Sequence, residues 1–475
     1  MLMSKKGVYE SLPISELHTP AYMRKTTASG NRQAMQLWRL DKAFKFHLHS
    51  ASYVNVKEAD LIYVRAGIFH GTEALCQVRQ SKSVPHSSPR WDEWLEFEDM
   101  LTLDLPRAAK LCLSICSVKK RKNRDETTML CWGNISLFDW RSHLLSDKVS
   151  LNLWSVPRGM DDLLNPLGIV GSNPVQESPC LELNFERHNS AVSYPSIGDF
   201  QEFSKFLEEL AAKATATTSS SSSSSSTSAS AAAAVAGASA AVASAVATDQ
   251  PQETISQAEK NQLVAMAKRD PLAEISEQEK VTLWRLRKHC LDVPEILPRF
   301  LDAVKWNSRN DLTHLYMLLK IWPEIPPQSA LELLDCKYAD PTVRALAVVW
   351  LDKMSDEDLA QYLLQLVQTL KYEPYLNNPL SNLLLKRALL NRKIGHFFFW
   401  HLKSELHSPA HFVRFGLLLE AFCRGLGPFL KKLIKQVEAL DKLTKLTDSL
   451  KDKFGGDSVK DRMKFMSEQI QQVSK

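Results

Sequence analysis

The run FKFHLHSASYVNV at residues 44–56 sets the pattern for the first half of the chain, and three similar runs follow it: LIYVRAGIFHG at 61–71, LCLSICSV at 111–118 and CLELNF at 180–185. Each run is rich in β-branched and aromatic residues, and clusters of turn-forming residues separate the runs. Short runs of this composition are typical of strands. We therefore predict β structure from about Met35 to Phe185.

The second half, from about Glu259 to Leu450, has leucine at helical spacing, as in DLTHLYMLLKIW at 311–322. Helix-start signals divide it into short segments. Capping acids precede prolines, and serines precede acids in capping boxes; the pairs are Asp270-Pro271, Asp340-Pro341, Ser276 with Glu279 and, in a weaker form, Ser355 with Asp358. Many short helices joined by short linkers predict antiparallel pairs stacked into an α-solenoid.

A tract from Ala211 to Thr248, built almost only of Ser, Ala and Thr, separates the two halves. Such a tract buries too little apolar surface to offset the entropy lost on ordering, so we predict a flexible linker. The predicted organisation is a multidomain α and β chain: an N-terminal linker at 1–35, an antiparallel β-sandwich at 36–190, a flexible linker at 191–255, an α-solenoid at 256–450 and a second linker at 451–475.

Composition excludes several classes of protein. A net charge of +5 over 475 residues is too small for a dedicated nucleic-acid binder. The eight cysteines lie within apolar segments that need no disulfide framework, which indicates a reducing cytosol. The most apolar stretches are far shorter than the roughly 20 residues that a membrane span requires. We expect any membrane contact to be peripheral.

The phrase PRWDEWLEF at 89–97 resembles a strand pattern of C2 domains. Further segments look, in order, like those of the class I phosphoinositide 3-kinase catalytic subunit, closest to its alpha form. LPRAAKLCLSICSVK at 105–119 and CWGNISLFDW at 131–140 resemble its C2 domain, while RDPLAEISEQEK at 269–280 and IGHFFFWHLKSELH at 394–407 resemble its helical (PIK) domain. The resemblance covers about 37–450, apart from the Ser/Ala tract.

The resemblance implies a parent enzyme that uses ATP and Mg²⁺ to phosphorylate phosphatidylinositol 4,5-bisphosphate at the 3-hydroxyl. Phosphoryl transfer needs a metal-binding carboxylate and a base, which the family supplies in Asp-Arg-His and Asp-Phe-Gly motifs. Neither triplet occurs here, since Asp199-Phe200 is followed by Gln201. We expect no catalytic or cofactor-binding residue in this chain. It is then either the scaffold part of that enzyme or a non-enzymatic truncated adaptor that binds the regulatory subunit.

Metal sites are not expected. His47 and His49 share one face of a strand, but no Cys or His cluster completes a site. His407 and His411 are at helical spacing without an accompanying acid motif, which favours a structural role. The acids Asp60, Asp99 and Asp104 are isolated from one another, whereas calcium takes six to eight oxygen ligands, so we expect a calcium-independent C2 domain.

A basic run predicts a membrane-facing loop at one end of the sandwich. Each cation near an anionic leaflet contributes on the order of 1 kcal/mol; the residues are Lys119, Lys120, Arg121, Lys122 and Arg124. The alternative is a solvated loop without a function. The resemblance favours the membrane and implies a cytoplasmic protein recruited peripherally to the plasma membrane.

The resemblance also implies contacts with an SH2-containing regulatory subunit. Asn55 falls where the family's C2 domain meets the coiled-coil segment of that subunit, although a turn-capping amide is an equal alternative. Glu274 and Glu277 fall where the helical domain meets an SH2 domain. Their alternative role is local, because acids in the first turn of a helix complement its dipole.

Overall fold

The computed structural model describes residues 34–54, 61–121, 124–220, 255–453 and 463–467. Within these residues the chain forms thirteen strands, β1 to β13: Met35–Gln36, Ala43–Ser52, Leu61–His70, Glu73–Ala74, Arg79–Gln80, Val84–Pro85, Arg90–Leu101, Lys110–Arg121, Arg124–Ser136, Asp147–Asn152, Trp154–Ser155, Cys180–Phe185 and Val192–Ser193.

The strands form two antiparallel sheets and a short parallel pair. One sheet has the order β10-β12-β2-β7. The other has the order β11-β9-β8-β3-β4, and β5 and β6 also pair with β3. The two-residue strands β1 and β13 pair in parallel, with Met35 opposite Val192.

Side-chain alternation explains how the four-stranded sheet is oriented. Along β2, Phe44, Phe46 and Leu48 are buried, whereas His47 and His49 on the opposite face are partly exposed. Successive side chains of a strand point to opposite faces of its sheet. One face therefore packs in the core and the other remains accessible.

The strands β3 and β8 of the larger sheet are buried along most of their length, because an irregular segment covers their outer face. The buried Asn134 side chain donates through Nδ2 to the carbonyls of Asn165 (2.8 Å) and Gly168 (3.0 Å). Ser114 Oγ donates to the Leu163 carbonyl at 2.5 Å. These side chains donate hydrogen bonds to backbone carbonyls of the covering segment, which has no sheet partner over most of its length.

Twelve α-helices follow among the described residues up to 453, α1 to α12: Ile197–Ser220, Gln257–Ala267, Glu277–Arg285, Leu297–Leu301, Arg309–Ile321, Pro327–Ala330, Pro341–Leu351, Asp356–Thr369, Pro379–Leu390, Arg392–Ser404, Phe412–Gly425 and Phe429–Lys453. The predicted fold class, an antiparallel β region followed by a helical region, is confirmed.

Of the two Asp-Pro capping signals, one begins a helix and the other does not. Asp340 accepts hydrogen bonds from the Thr342 (2.8 Å) and Val343 (3.1 Å) amides and begins α7. The helix predicted to begin at Pro271 is wrong. There the Asp270 carboxylate accepts from the Leu272 amide at 2.9 Å and forms a turn, because an acid before proline caps turns as readily as helices.

The predicted linker at 191–255 also differs at its start, where α1 begins at Ile197. Phe200 in α1 is buried between Trp38 and Tyr316, with ring centroids 5.0 and 4.8 Å away. An aromatic side chain that is buried this fully outweighs the polar composition of the sequence around it. Much of the Ser/Ala tract, at 221–254, lies outside the described residues.

The described residues divide into two compact units. The larger comprises 34–358 and 368–383, and so includes the sheets and the first helices. The smaller comprises 359–367 and the described residues from 384 onward. Within the smaller unit, Phe398 of α10 packs edge-on against Phe422 of α11 with centroids 5.4 Å apart.

Inside the larger unit, the turn between β3 and β4 contacts the helical region directly. His70 stacks on Trp306 with ring centroids 3.9 Å apart. Gly71 has φ +57°, and a Cβ atom there would lie 2.1 Å from the Lys337 carbonyl oxygen. Asn307 donates to the Leu75 carbonyl at 3.0 Å. The sandwich and the first helices are therefore fixed to each other by specific contacts.

Candidate partner and membrane interfaces

The acidic segment at 270–277 connects α2 to α3 and is fixed by a buried arginine. The Arg299 guanidinium, on α4, donates to the carbonyl of Asp270 and, at 2.8 Å, to that of Ala273. Only 5% of Arg299 is exposed. A bidentate contact of this kind restricts the backbone, so the segment presents its outward side chains in one arrangement.

The capping box that we predicted at the start of α3 is confirmed. Ser276 Oγ accepts from the Glu279 amide at 3.3 Å, and Glu279 Oε2 accepts from the Ser276 amide at 2.9 Å. Arg269 Nη2 donates to the same carboxylate at 2.7 Å. The Arg269 contact, followed by the Ser276 amide, lowers the pKa of Glu279 to about 2. Glu279 is thus ionised and occupied by contacts within the chain.

Glu274 and Glu277, by contrast, face solvent. Glu274 is exposed, and the Glu277 side chain is 84% exposed with one ion pair, to Lys280 at 2.7 Å. Leu272 lies beside them and is 91% exposed. The structure therefore presents two carboxylates and one large apolar side chain on the fixed segment.

Sequence reasoning missed two residues of this arrangement. Leu272 has no distinctive pattern around it. Arg299 gave a usable signal, because an arginine within the apolar run EILPRFL is buried only when it has partners.

A groove of about 420 Å³ lies beside the segment, between the β3–β4 turn and the helical region. Its charged lining has four acids and two lysines, a net charge of −2, and Lys337 pairs with Asp302 at 2.6 Å. The residues are Glu73, Glu274, Glu277, Asp302, Lys280 and Lys337. Burial raises the pKa of Glu73. The groove and the exposed acids together form a surface suited to a basic partner with an apolar side chain.

The basic run does not form the loop that we predicted. Lys119, Lys120 and Arg121 lie in β8, and Arg124 in β9 lies opposite Arg121, so they occupy the end of a hairpin. Lys122 lies outside the described residues.

The hairpin also brings acids close to the basic run. In the strand register, Asp125 lies opposite Lys120 and Glu126 lies opposite Lys119. The two acids reduce the net charge of the segment at 119–126 from +5 to +3.

Three further expectations concern residues elsewhere. Asn55 and Asp60 lie outside the described residues. Asp99 accepts from the Gln77 amide at 2.6 Å, whereas Asp104 accepts from the Arg309 amide at 3.3 Å. Among the residues that the structure describes, one group of three side chains has spacing suitable for a metal, namely His47, His49 and Asp92.

No helix in the described part of the chain is both long enough and apolar enough to span a bilayer.

Two family matches agree with this architecture. Residues 58–174 match the family described as "Phosphoinositide 3-kinase C2". Residues 251–435 match "Phosphoinositide 3-kinase family, accessory domain (PIK domain)". The fold and the matches define a protein that joins a C2 domain to the helical accessory domain of lipid kinases.

Two relatives from Dictyostelium discoideum are similar over most of the chain. "Phosphatidylinositol 3-kinase 1" is 31% identical over 440 residues, which are 88% of this chain and 25% of that protein. "Phosphatidylinositol 3-kinase 2" is 32% identical over 430 residues, 87% of this chain and 22% of that protein. The chain belongs to the phosphoinositide 3-kinase family, of which it carries the C2 and accessory domains. It spans about a quarter of the length of these relatives.

Proposed function

We propose that this chain is the C2 and helical scaffold of a class I phosphoinositide 3-kinase catalytic subunit and that it binds an SH2-containing regulatory subunit. The whole enzyme would use ATP and Mg²⁺ to phosphorylate phosphatidylinositol 4,5-bisphosphate at the 3-hydroxyl. The family matches and the names of the two relatives support this proposal.

The exposed acidic segment carries the proposal for the partner. SH2 domains bind phosphate through clusters of arginine. The carboxylates of Glu274 and Glu277 offer the same charge-assisted hydrogen bonds, and Leu272 adds apolar area next to them. Because Arg299 fixes the segment, little ordering free energy is lost on binding. A phosphopeptide would then compete with this segment and release the kinase.

The test reverses the two exposed charges one at a time. We expect Glu274→Lys and Glu277→Lys to weaken binding to the isolated SH2 domain about tenfold, or about 1.4 kcal/mol, measured by calorimetry. Melting temperatures should change little, because the Glu277–Lys280 pair is exposed and such pairs contribute at most about 1 kcal/mol.

Glu295→Lys is the matched control, since Glu295 is an exposed acid in the same helical region. It should bind the SH2 domain like the parent. If both charge reversals also bind like the parent, the acidic segment is not the docking site and only its local role at the start of α3 remains.

The basic hairpin would contribute a second, weaker contact, with anionic lipid. A net charge of +3 corresponds to about 3 kcal/mol near an anionic leaflet, and salt screens this attraction. We expect weak, calcium-independent sedimentation with phosphatidylserine vesicles, lost when the five cations are changed to Ala. Equal sedimentation of parent and variant would show that the hairpin is solvated and does not bind the membrane. The proposed location is the cytoplasm, with recruitment to the plasma membrane.

Asn55 stays a proposed contact of the C2 domain with the coiled-coil segment of the regulatory subunit. Asn55→Lys should weaken binding of that segment in a pull-down with purified components, whereas a turn-capping role would lower the melting temperature instead.

A further inference from the structure

The accessible face of the four-stranded sheet brings together two histidines and an aspartate. His47 and His49 lie on β2, and Asp92 lies on the neighbouring strand β7. Their candidate ligand atoms all lie within 4.8 Å of one another. His49 Nδ1 is already 2.5 Å from Asp92 Oδ1. Small side-chain rotations would bring these atoms to the spacing of about 3.4 Å that a tetrahedral zinc site requires.

A β-bulge places Asp92 in this group. Leu48 pairs with Glu93 and Ser50 with Arg90, so His49 lies opposite two residues of β7, Trp91 and Asp92. Asp92 has φ +45°, a conformation uncommon for residues other than glycine. Bulges of this kind redirect a side chain.

Trp91 fixes the backbone of the bulge from the other side of the sheet. Its indole is 1% exposed and donates through Nε1 to the Lys82 carbonyl at 3.0 Å. The conformation at Asp92 is therefore supported by core packing and does not depend on the surface residues alone.

Neighbouring charges would orient the ligands. Arg90 Nε donates to Asp92 Oδ2 at 2.5 Å, which leaves Oδ1 directed toward His49. Glu182 Oε2 lies 3.9 Å from His49 Nε2, beyond hydrogen-bond distance and on the side of the ring away from Asp92, and it pairs with Lys148 at 3.1 Å. A carboxylate that accepts from the second ring nitrogen is the usual companion of a metal-bound histidine, because it fixes the tautomer and the ring plane.

We propose that His47, His49 and Asp92 form a binding site for a divalent transition metal, zinc being the best match to two imidazoles and one carboxylate. Three protein ligands leave a fourth position for water. The metal replaces the His49–Asp92 hydrogen bond, and the proton of that hydrogen bond is released to solvent. A side-chain rotation would let Glu182 accept from Nε2 of the metal-bound His49. The bound ion links β2 to β7, which is an edge strand of its sheet.

The test measures zinc binding to the whole chain by titration calorimetry, after removal of metal with a chelator. The parent should bind one equivalent of zinc that the double variant His47→Gln/His49→Gln lacks. The matched control is His86→Gln/His188→Gln, at two partly exposed histidines outside the cluster, and it should retain that equivalent. The comparison also separates the site from any zinc bound by the cysteines.

Asp92→Asn tests the third ligand and keeps the fold, because asparagine tolerates a positive φ. We expect affinity at least tenfold lower, together with weaker visible absorption when cobalt replaces zinc.

Three results would overturn the proposal. They are no zinc binding by the parent, equal zinc stoichiometry in the parent and the double histidine variant, or unchanged affinity in Asp92→Asn. Circular dichroism establishes that each variant is folded; all three side chains lie on the accessible face, so their replacement leaves the core intact.

Discussion

The buried imidazole of His70 is expected to make the chain less stable as the pH falls. His70 is 1% exposed, and burial, assisted by the Lys110 ammonium, lowers its pKa from 6.5 to about 3. The unfolded chain therefore binds this proton more readily than the folded chain does. The stabilisation from a neutral His70 is fully present above pH 6.5 and is lost as the pH falls toward 3.

The size of the effect follows from proton linkage. Over the range in which only the unfolded imidazole is protonated, the free energy of unfolding falls by about 1.4 kcal/mol per pH unit. Between pH 7.5 and pH 5.5 the His70 contribution falls by about 1.4 kcal/mol in total, because the first pH unit lies above the unfolded pKa.

Urea unfolding followed by tryptophan fluorescence at these two pH values measures this loss. His70→Phe retains an aromatic ring against Trp306 but cannot titrate. The parent should lose about 1.4 kcal/mol more than this variant on acidification. The other histidines are common to both proteins and cancel in the comparison.

His188→Phe, at a partly exposed histidine, is the control. Its free energy of unfolding should fall by the same amount as that of the parent between pH 7.5 and pH 5.5. An equal loss in the parent and in His70→Phe would refute the reasoning, since it would mean that His70 binds its proton equally well in both states.

Three other predictions concern packing, a buried ion pair and catalysis. Gly71→Ala should lower the melting temperature more than Gly159→Ala: both glycines have a positive φ, but only at Gly71 would a Cβ atom meet a backbone oxygen, that of Lys337 at 2.1 Å. Glu373→Gln should destabilise the fold by about 3 kcal/mol in urea unfolding, because it leaves the buried Arg344 guanidinium, now 2.7 Å from the carboxylate, without a counter-charge. The 475-residue chain should not bind ATP or phosphorylate phosphoinositides in a radiolabel assay; turnover that survives repurification would contradict this expectation.

Features that depend on neighbours in the sequence were predictable. The capping box of Ser276 and Glu279 involves residues three apart, and the spacing alone identifies it. The order of strands and then helices was likewise readable from periodicity. The turn at Asp270 was not, because an acid before proline is compatible with both a turn and a helix, and the Arg299 contact that holds the turn comes from 29 residues further along.

The candidate sites divide in the same way. The sequence identified Glu274 and Glu277 as acids near a helix start, but it could not show that their segment is fixed from α4. It placed His47 and His49 on one strand face and found no third ligand. Asp92 joins them only through the pairing of β2 with β7 and a bulge in that pairing, and neither is encoded locally.

Met35 pairs in parallel with Val192, so the first and last strands of the C2 domain lie side by side. The chain enters and leaves the domain at adjacent residues, so its two covalent connections lie side by side, separate from the contacts that the β3–β4 turn makes with the helical region. Adjacent ends of this kind are what make a domain tolerant of insertion into another chain. In evolution or by design, this C2 domain could be exchanged between hosts without separating the segments that flank it.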